Sequence, residues 1–216
     1  MERYGTRERL FAAALSGLAG YVDAVGFVQS QGFFVSFMSG NSTRLGVGVA
    51  GSAADALAAA GLLTAFIAGV TGGSLLGRAN EKNRVPVVLA GVAALLACAA
   101  ALGGLDHLQA ALGLTAFAMG AENATLEHRG RVRVGLTYMT GSVVRLGQAL
   151  ADRLAGGRSG DWLPPLVLWG GFLSGTVAGA FAAIGLGFDA LWLGSAAATL
   201  FAVAGRMISA SLTEQH

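Results

Sequence analysis

The chain has 216 residues, 54% of them hydrophobic and only 12% charged, with a mean hydropathy of +0.63. Soluble domains carry about 25% charged residues, so 14 basic and 12 acidic side chains cannot give a domain of this size a water-facing skin. Composition excludes a disordered chain, a collagen-like fibre and an ordinary cytosolic enzyme, and points to an all-α polytopic membrane protein formed as a single membrane domain, 1–216.

Eight apolar segments follow one another: 10–28, 33–50, 57–77, 85–105, 108–126, 135–151, 163–186 and 190–204. The first follows Arg3, Arg7 and Arg9 and mimics a secretory leader. Its apolar part runs on too far and carries Asp23, so it reads as a first span. The single cysteine, Cys98, lies in the fourth segment and reads as a small core residue. His107, His128 and His216 lack metal-ligand spacing. No metal or cofactor is expected. Trp162, Trp169 and Trp192 suggest anchors at the membrane interface.

The second half repeats the first. Met38-Ser-Gly-Asn-Ser-Thr-Arg44-Leu-Gly46 matches Met139-Thr-Gly-Ser-Val-Val-Arg145-Leu-Gly147. Upstream, Gly20-Tyr-Val-Asp23-Ala24 matches Gly120-Ala-Glu122-Asn-Ala124; downstream, the glycines of 66–73 match those of 172–179. The units are about 1–105 and 106–216.

Basic residues set the topology. If all eight segments cross, Arg78, Lys82, Arg84, Arg129, Arg131 and Arg133 lie on one side and Arg3, Arg7, Arg9, Arg153, Arg158 and Arg206 on the other, with no bias. If 33–50 and 135–151 enter and return, all of these lie on the side of the N-terminus, as the excess of cytoplasmic Lys and Arg requires. The expected fold is then two inverted repeats of three transmembrane helices, each with a re-entrant or broken helix, a recurring transporter design. Both termini are cytoplasmic.

The breaks are placed at Met38-Ser-Gly-Asn41 and Met139-Thr-Gly-Ser142. Gly permits the φ > 0 of a sharp turn, and Ser, Thr or Asn caps the helix that follows. Arg44 and Arg145 are then expected in the first turn of each returning helix, where a cation opposes the macrodipole. Irregular backbone at this depth must be buried or line a wet cavity. Asp23, Arg44, Glu122 and Arg145 sit within apolar segments, where each costs roughly 2.5–3.5 kcal/mol unless paired or hydrated. They read as two acids and two arginines at equivalent repeat positions. They serve either as buried salt bridges or as the lining of a solute path. The acids could also carry protons for coupled transport. The candidate site comprises Asp23, Ser39, Gly40, Asn41, Arg44, Glu122, Asn123, Thr140, Gly141, Ser142 and Arg145.

The run Gly20-Tyr-Val-Asp23-Ala-Val-Gly26-Phe27, followed by Phe34-Val-Ser-Phe-Met38-Ser-Gly40-Asn41-Ser-Thr43-Arg44-Leu-Gly46, resembles the YoaK-like family of bacterial multi-pass inner-membrane proteins. The resemblance covers essentially the whole chain. It implies a location in the inner (plasma) membrane and names no substrate.

The spacings Gly69-x3-Gly73-x3-Gly77 and Gly171-x3-Gly175-x3-Gly179 make smooth helix faces. These pack either within the chain or between two copies in a homo-oligomer. Gly46-Val-Gly48-Val-Ala-Gly51 satisfies a dinucleotide pattern without the strand it needs. Arg129-Gly-Arg131-Val-Arg133 reads as a cytoplasmic loop, so no nucleic acid is expected. No nucleophile–base pair supports an enzyme. The expected function is a channel or transporter for a small polar or anionic solute, its partners being that solute and the lipid bilayer. The alternative is a membrane assembly or sensory protein acting through its cytoplasmic loops.

Overall fold

The computed structural model describes residues 6–128, 131–132, 136–157 and 162–213. Among these residues eight α-helices form in order: α1 (Thr6–Gln29), α2 (Met38–Gly51), α3 (Ala53–Ala79), α4 (Arg84–Gly104), α5 (Leu108–Asn123), α6 (Met139–Leu154), α7 (Leu163–Leu186) and α8 (Ala190–Thr213). Glu127–His128 pairs antiparallel with Arg131–Val132. Among the described residues four helical stretches are long and apolar enough to cross a membrane: Arg9–Gln29, Ala53–Ala79, Glu81–Gly104 and Leu163–Arg206. The last contains both α7 and α8, joined by the 3-10 turn Gly187–Asp189. The expected span 108–126 forms only the 16 residues of α5, short of the roughly 20 that a span needs.

Glycine contacts fix the helix directions. Gly171, Gly175 and Gly179 of α7 lie against the backbones of Ala13, Gly17 and Tyr21 of α1. The numbers rise together, so the two helices are parallel. Gly69 and Gly73 of α3 lie against Phe117 and Ala121 of α5 in the same way. The reciprocal contacts also match, Gly20 on Phe172 and Gly120 on Phe66. Each half's first helix thus packs on the other half's third, and the glycine faces meet inside the chain. Small residues permit this approach because no Cβ holds the backbones apart.

The remaining pairs are antiparallel. Between α4 and α8, Ser195 Oγ donates to the Ala93 carbonyl (2.8 Å), Gly194 lies against Leu96 and Gly205 against Val85. Between α1 and α8, Tyr21 Oη donates to the Ala190 carbonyl (2.9 Å), while the rings of Phe11 and Phe201 meet at 6.3 Å. Between α4 and α5, Arg84 Nη1 donates to the Ala124 carbonyl (3.1 Å). Hence α1, α4 and α7 run one way and α3, α5 and α8 the other. Simple alternation of eight helices would make α4 and α8 parallel; instead α1 and α3 are already antiparallel across α2, and α5 and α7 across α6.

These directions give the bundle two ends of different charge. Arg9, Arg78, Lys82, Arg84 and Arg206 gather where α1 begins, with Glu81 among them. Asp55, Asp106 and Asp189 gather where it finishes. The core runs between them, built of Val22, Val25, Leu96, Ala116 and Met119 with Leu15, Leu89 and Leu136 beyond. Cys98 is exposed on α4, contrary to the core position expected from its apolar neighbours. In a protein surrounded by lipid, an apolar run has no need to face inward.

Candidate functional site

The site is built around the two irregular stretches that precede α2 and α6. The first is held by Asp23. Its Oδ1 accepts from three successive backbone amides, those of Val35 (2.9 Å), Ser36 (2.7 Å) and Phe37 (3.4 Å). Asp23 is only 6% exposed. Charged acceptors make strong hydrogen bonds to amides, so this carboxylate fixes where the loop ends and α2 begins. Asn41 secures the same loop from the other side. Its Nδ2 donates to the Phe34 carbonyl (2.6 Å) and its Oδ1 accepts from the Phe34 amide (3.0 Å). Asn41 is fully buried.

The second stretch is held differently. Ser16 Oγ donates to the Leu136 carbonyl (3.0 Å) and Thr137 Oγ1 to Asn123 Oδ1 (3.4 Å). Ser142, the repeat counterpart of Asn41, is buried. Ser16 and Asp23 are seven residues apart on α1, about 10 Å of helix rise. The two breaks therefore lie inside the bundle at different depths. A neutral amide at 3.4 Å is a weaker anchor than a carboxylate serving three amides. Amide hydrogen exchange is expected to be slower at Val35–Phe37 than at Leu136–Tyr138; equal protection would contradict this asymmetry.

Several expectations are corrected. The helices begin at Met38 and Met139, with N-cap residues Phe37 and Tyr138 and no side-chain cap hydrogen bond. Asp23, from a different helix, supplies the acceptor that the local Ser, Thr and Asn were expected to give. Gly40 and Gly141 are not turn residues. Positive φ occurs instead at Gln31 and Gly32, while Gly40 leaves room for the rings of Phe34 and Phe37, and Gly141 for Tyr138. Because the helices start early, Arg44 and Arg145 fall in the second turn, away from the helix start.

Of the two arrangements considered for the acids and arginines, ion pairs between them do not form among the described residues. Asp23 is taken by backbone amides. Arg44 is half-buried, its guanidinium 4.4 Å from the centre of the Phe33 ring. Arg145 is exposed, as are Ser39 and Thr140. The glycine seams align α1 with α5 so that Gly20 matches Gly120, which sets Asp23 opposite Asn123 and Val22 opposite Glu122. Glu122 is therefore not the second copy of Asp23. It is fully buried, and neither carboxyl oxygen has a hydrogen-bond partner among the described residues. Sequence reasoning missed Ser16, Thr137 and Phe33. For Ser16 the signal was a hydroxyl in an otherwise apolar run. Among the described residues no cluster of His, Cys, Asp and Glu could hold a metal.

A bundle of apolar helices with two interrupted segments, a basic end and buried polar groups at the interruptions defines a multi-pass membrane protein. Over residues 11–204 the chain matches the family described as Protein of unknown function (DUF1275), and it belongs to that family. It is 41% identical over 197 residues to a UPF0700 transmembrane protein of Rhizobium meliloti (strain 1021), covering 91% of this chain and 85% of that relative. No solved structure matches it.

Proposed function

We propose that this protein is a membrane channel or transporter for a small polar or anionic solute, with two inverted repeats and two re-entrant helices, α2 and α6. The observation that carries the reading is the pair of breaks inside the bundle, one reached from each end. Irregular backbone at membrane depth is tolerated only where it is buried or lines a cavity, and transporters place their sites at such interrupted helices. The opposed directions of α4 and α8 support six crossings rather than eight. The basic end, with both termini, is the cytoplasmic side.

The inner groups of the path are Asp23, Asn41, Glu122, Asn123 and Ser142. Gly40 and Gly141 shape its walls. Ser39, Thr140 and Arg145 lie towards the outside of α2 and α6 and stand apart from these groups. Glu122 is the member whose role is most testable. A buried carboxyl without a partner costs the fold energy rather than holding it together, which fits a role in passage.

Purified protein in proteoliposomes is expected to pass small polar solutes or anions. Glu122→Gln should keep the wild-type melting temperature while flux falls to background. Flux in the variant equal to wild type removes Glu122 from the path. Absence of flux for any small solute, with the protein folded, favours the assembly or sensory alternative, which is checked by a pull-down dependent on residues 127–134.

A further inference from the structure

We infer that a cavity at the acidic end binds an anionic phospholipid, with one acyl chain in the cavity and the phosphate on Arg44. The cavity measures about 360 Å³ and is lined by Phe33, Leu57, Gly61, Leu62, Gln109 and Leu112, among others. That volume falls at the lower end of ligand-sized pockets, which run from about 300 to 1,000 Å³. Its walls are apolar except for Gln109. Leu57 is 76% exposed, so the mouth opens on the outer surface of α3, the surface that lipid covers. The interior site described above faces the core; this one faces the bilayer.

Arg44 supplies the charge complement. Its guanidinium lies over the ring of Phe33, itself a wall of the cavity, and beside Gly32. Among the described residues Arg44 makes no ion pair. An arginine in an apolar segment without an acid is costly, and a planar fork of donors suits the oxygens of a phosphodiester. The ring holds one face of the guanidinium and leaves its N–H edge for an anion. Depth agrees with this occupant. Gly32 and Phe33 follow the end of α1, and the cavity lies at the starts of α3 and α5, so Arg44 reaches the level where helices end and lipid headgroups begin. An apolar cavity that shares the Phe33 wall with an arginine is the chemistry that takes a phospholipid's acyl chain and phosphate. The inference rests on the membrane location alone and stands or falls separately from transport.

The test is native mass spectrometry of the full chain purified with phosphatidylglycerol and phosphatidylcholine. The wild type is expected to retain phosphatidylglycerol preferentially. Arg44→Gln should lower that retention about tenfold, the scale of one charge-assisted contact. Gly61→Leu fills the cavity, and Gly113→Leu does so independently; both glycines have open space for a side chain. Each should lose the lipid while keeping the wild-type melting temperature. Retention unchanged in Arg44→Gln overturns the phosphate contact. Retention unchanged in both filled variants overturns the acyl site. Displacement of the lipid by inorganic phosphate alone marks a free-anion site and overturns the proposal.

Discussion

Asp23→Ala is expected to prevent the chain from accumulating as a stable, monodisperse protein. The substitution removes the acceptor of three amide hydrogen bonds in one step. Each buried amide left without an acceptor costs about 1–3 kcal/mol. The Phe37 bond is long at 3.4 Å and contributes least. A total near 3–5 kcal/mol follows, which is a large share of a folded protein's margin. Asp23→Asn keeps one acceptor oxygen and should lose less. Thermal unfolding in detergent reads both, and the order wild type, Asn, Ala is the expected outcome. An Ala variant melting with the wild type would mean that the loop at 34–37 finds other acceptors.

Gly175→Leu and Gly69→Leu are expected to be comparably severe, for a different reason. At each position a Cβ would meet the backbone of the facing helix, Gly17 in one case and Phe117 in the other. Backbone cannot turn aside as a side chain can, so the helices must separate along the seam. Overpacking a core costs about 1–3 kcal/mol when side chains can adjust, and these positions exceed that range. Gly170→Leu is the control, since nothing lies within 4 Å of its added Cβ. Loss of folded yield in the first two with normal yield in the third is the expected pattern. Tolerance of Leu at Gly175 would mean that α1 and α7 do not pack as described.

The glycine seams were legible in the sequence because spacing alone carries them. Gly69-x3-Gly73 and Gly175-x3-Gly179 announce a smooth face whatever that face meets. The partner helix was not legible, since small residues name no neighbour. A break near the start of 33–50 was legible, but it was placed at Met38–Asn41, and the irregular backbone instead precedes Met38. Asp23 read as half of an ion pair or as the lining of a solute path, because a sequence displays opposite charges and not backbone partners. Its actual partners are amide groups, which every residue except proline carries and no sequence distinguishes. Placing the start of α2 at Met38 depended on those amides, and Arg44 moved to the second turn with them. The match of Asp23 to Glu122 failed by one residue. With Gly20 on Gly120 the blocks already set Asp23 on Asn123 and Val22 on Glu122, and the matching contacts of Gly20 on Phe172 and Gly120 on Phe66 agree with that register.

The exchange of helices between the halves bears on how the protein is made. α1 emerges from the ribosome first, yet the backbones of Gly17 and Tyr21 meet their glycine partners on α7, next to last in the chain. Until then α1 must wait in the bilayer with its glycine face open to lipid. The α3–α5 seam closes earlier, because its partners are separated by α4 alone. Insertion is thus followed by a late closing step that joins the beginning of the chain to its end. A chain cut short before residue 163 lacks α7 and cannot complete that step, so both the first and the last crossing depend on finishing synthesis.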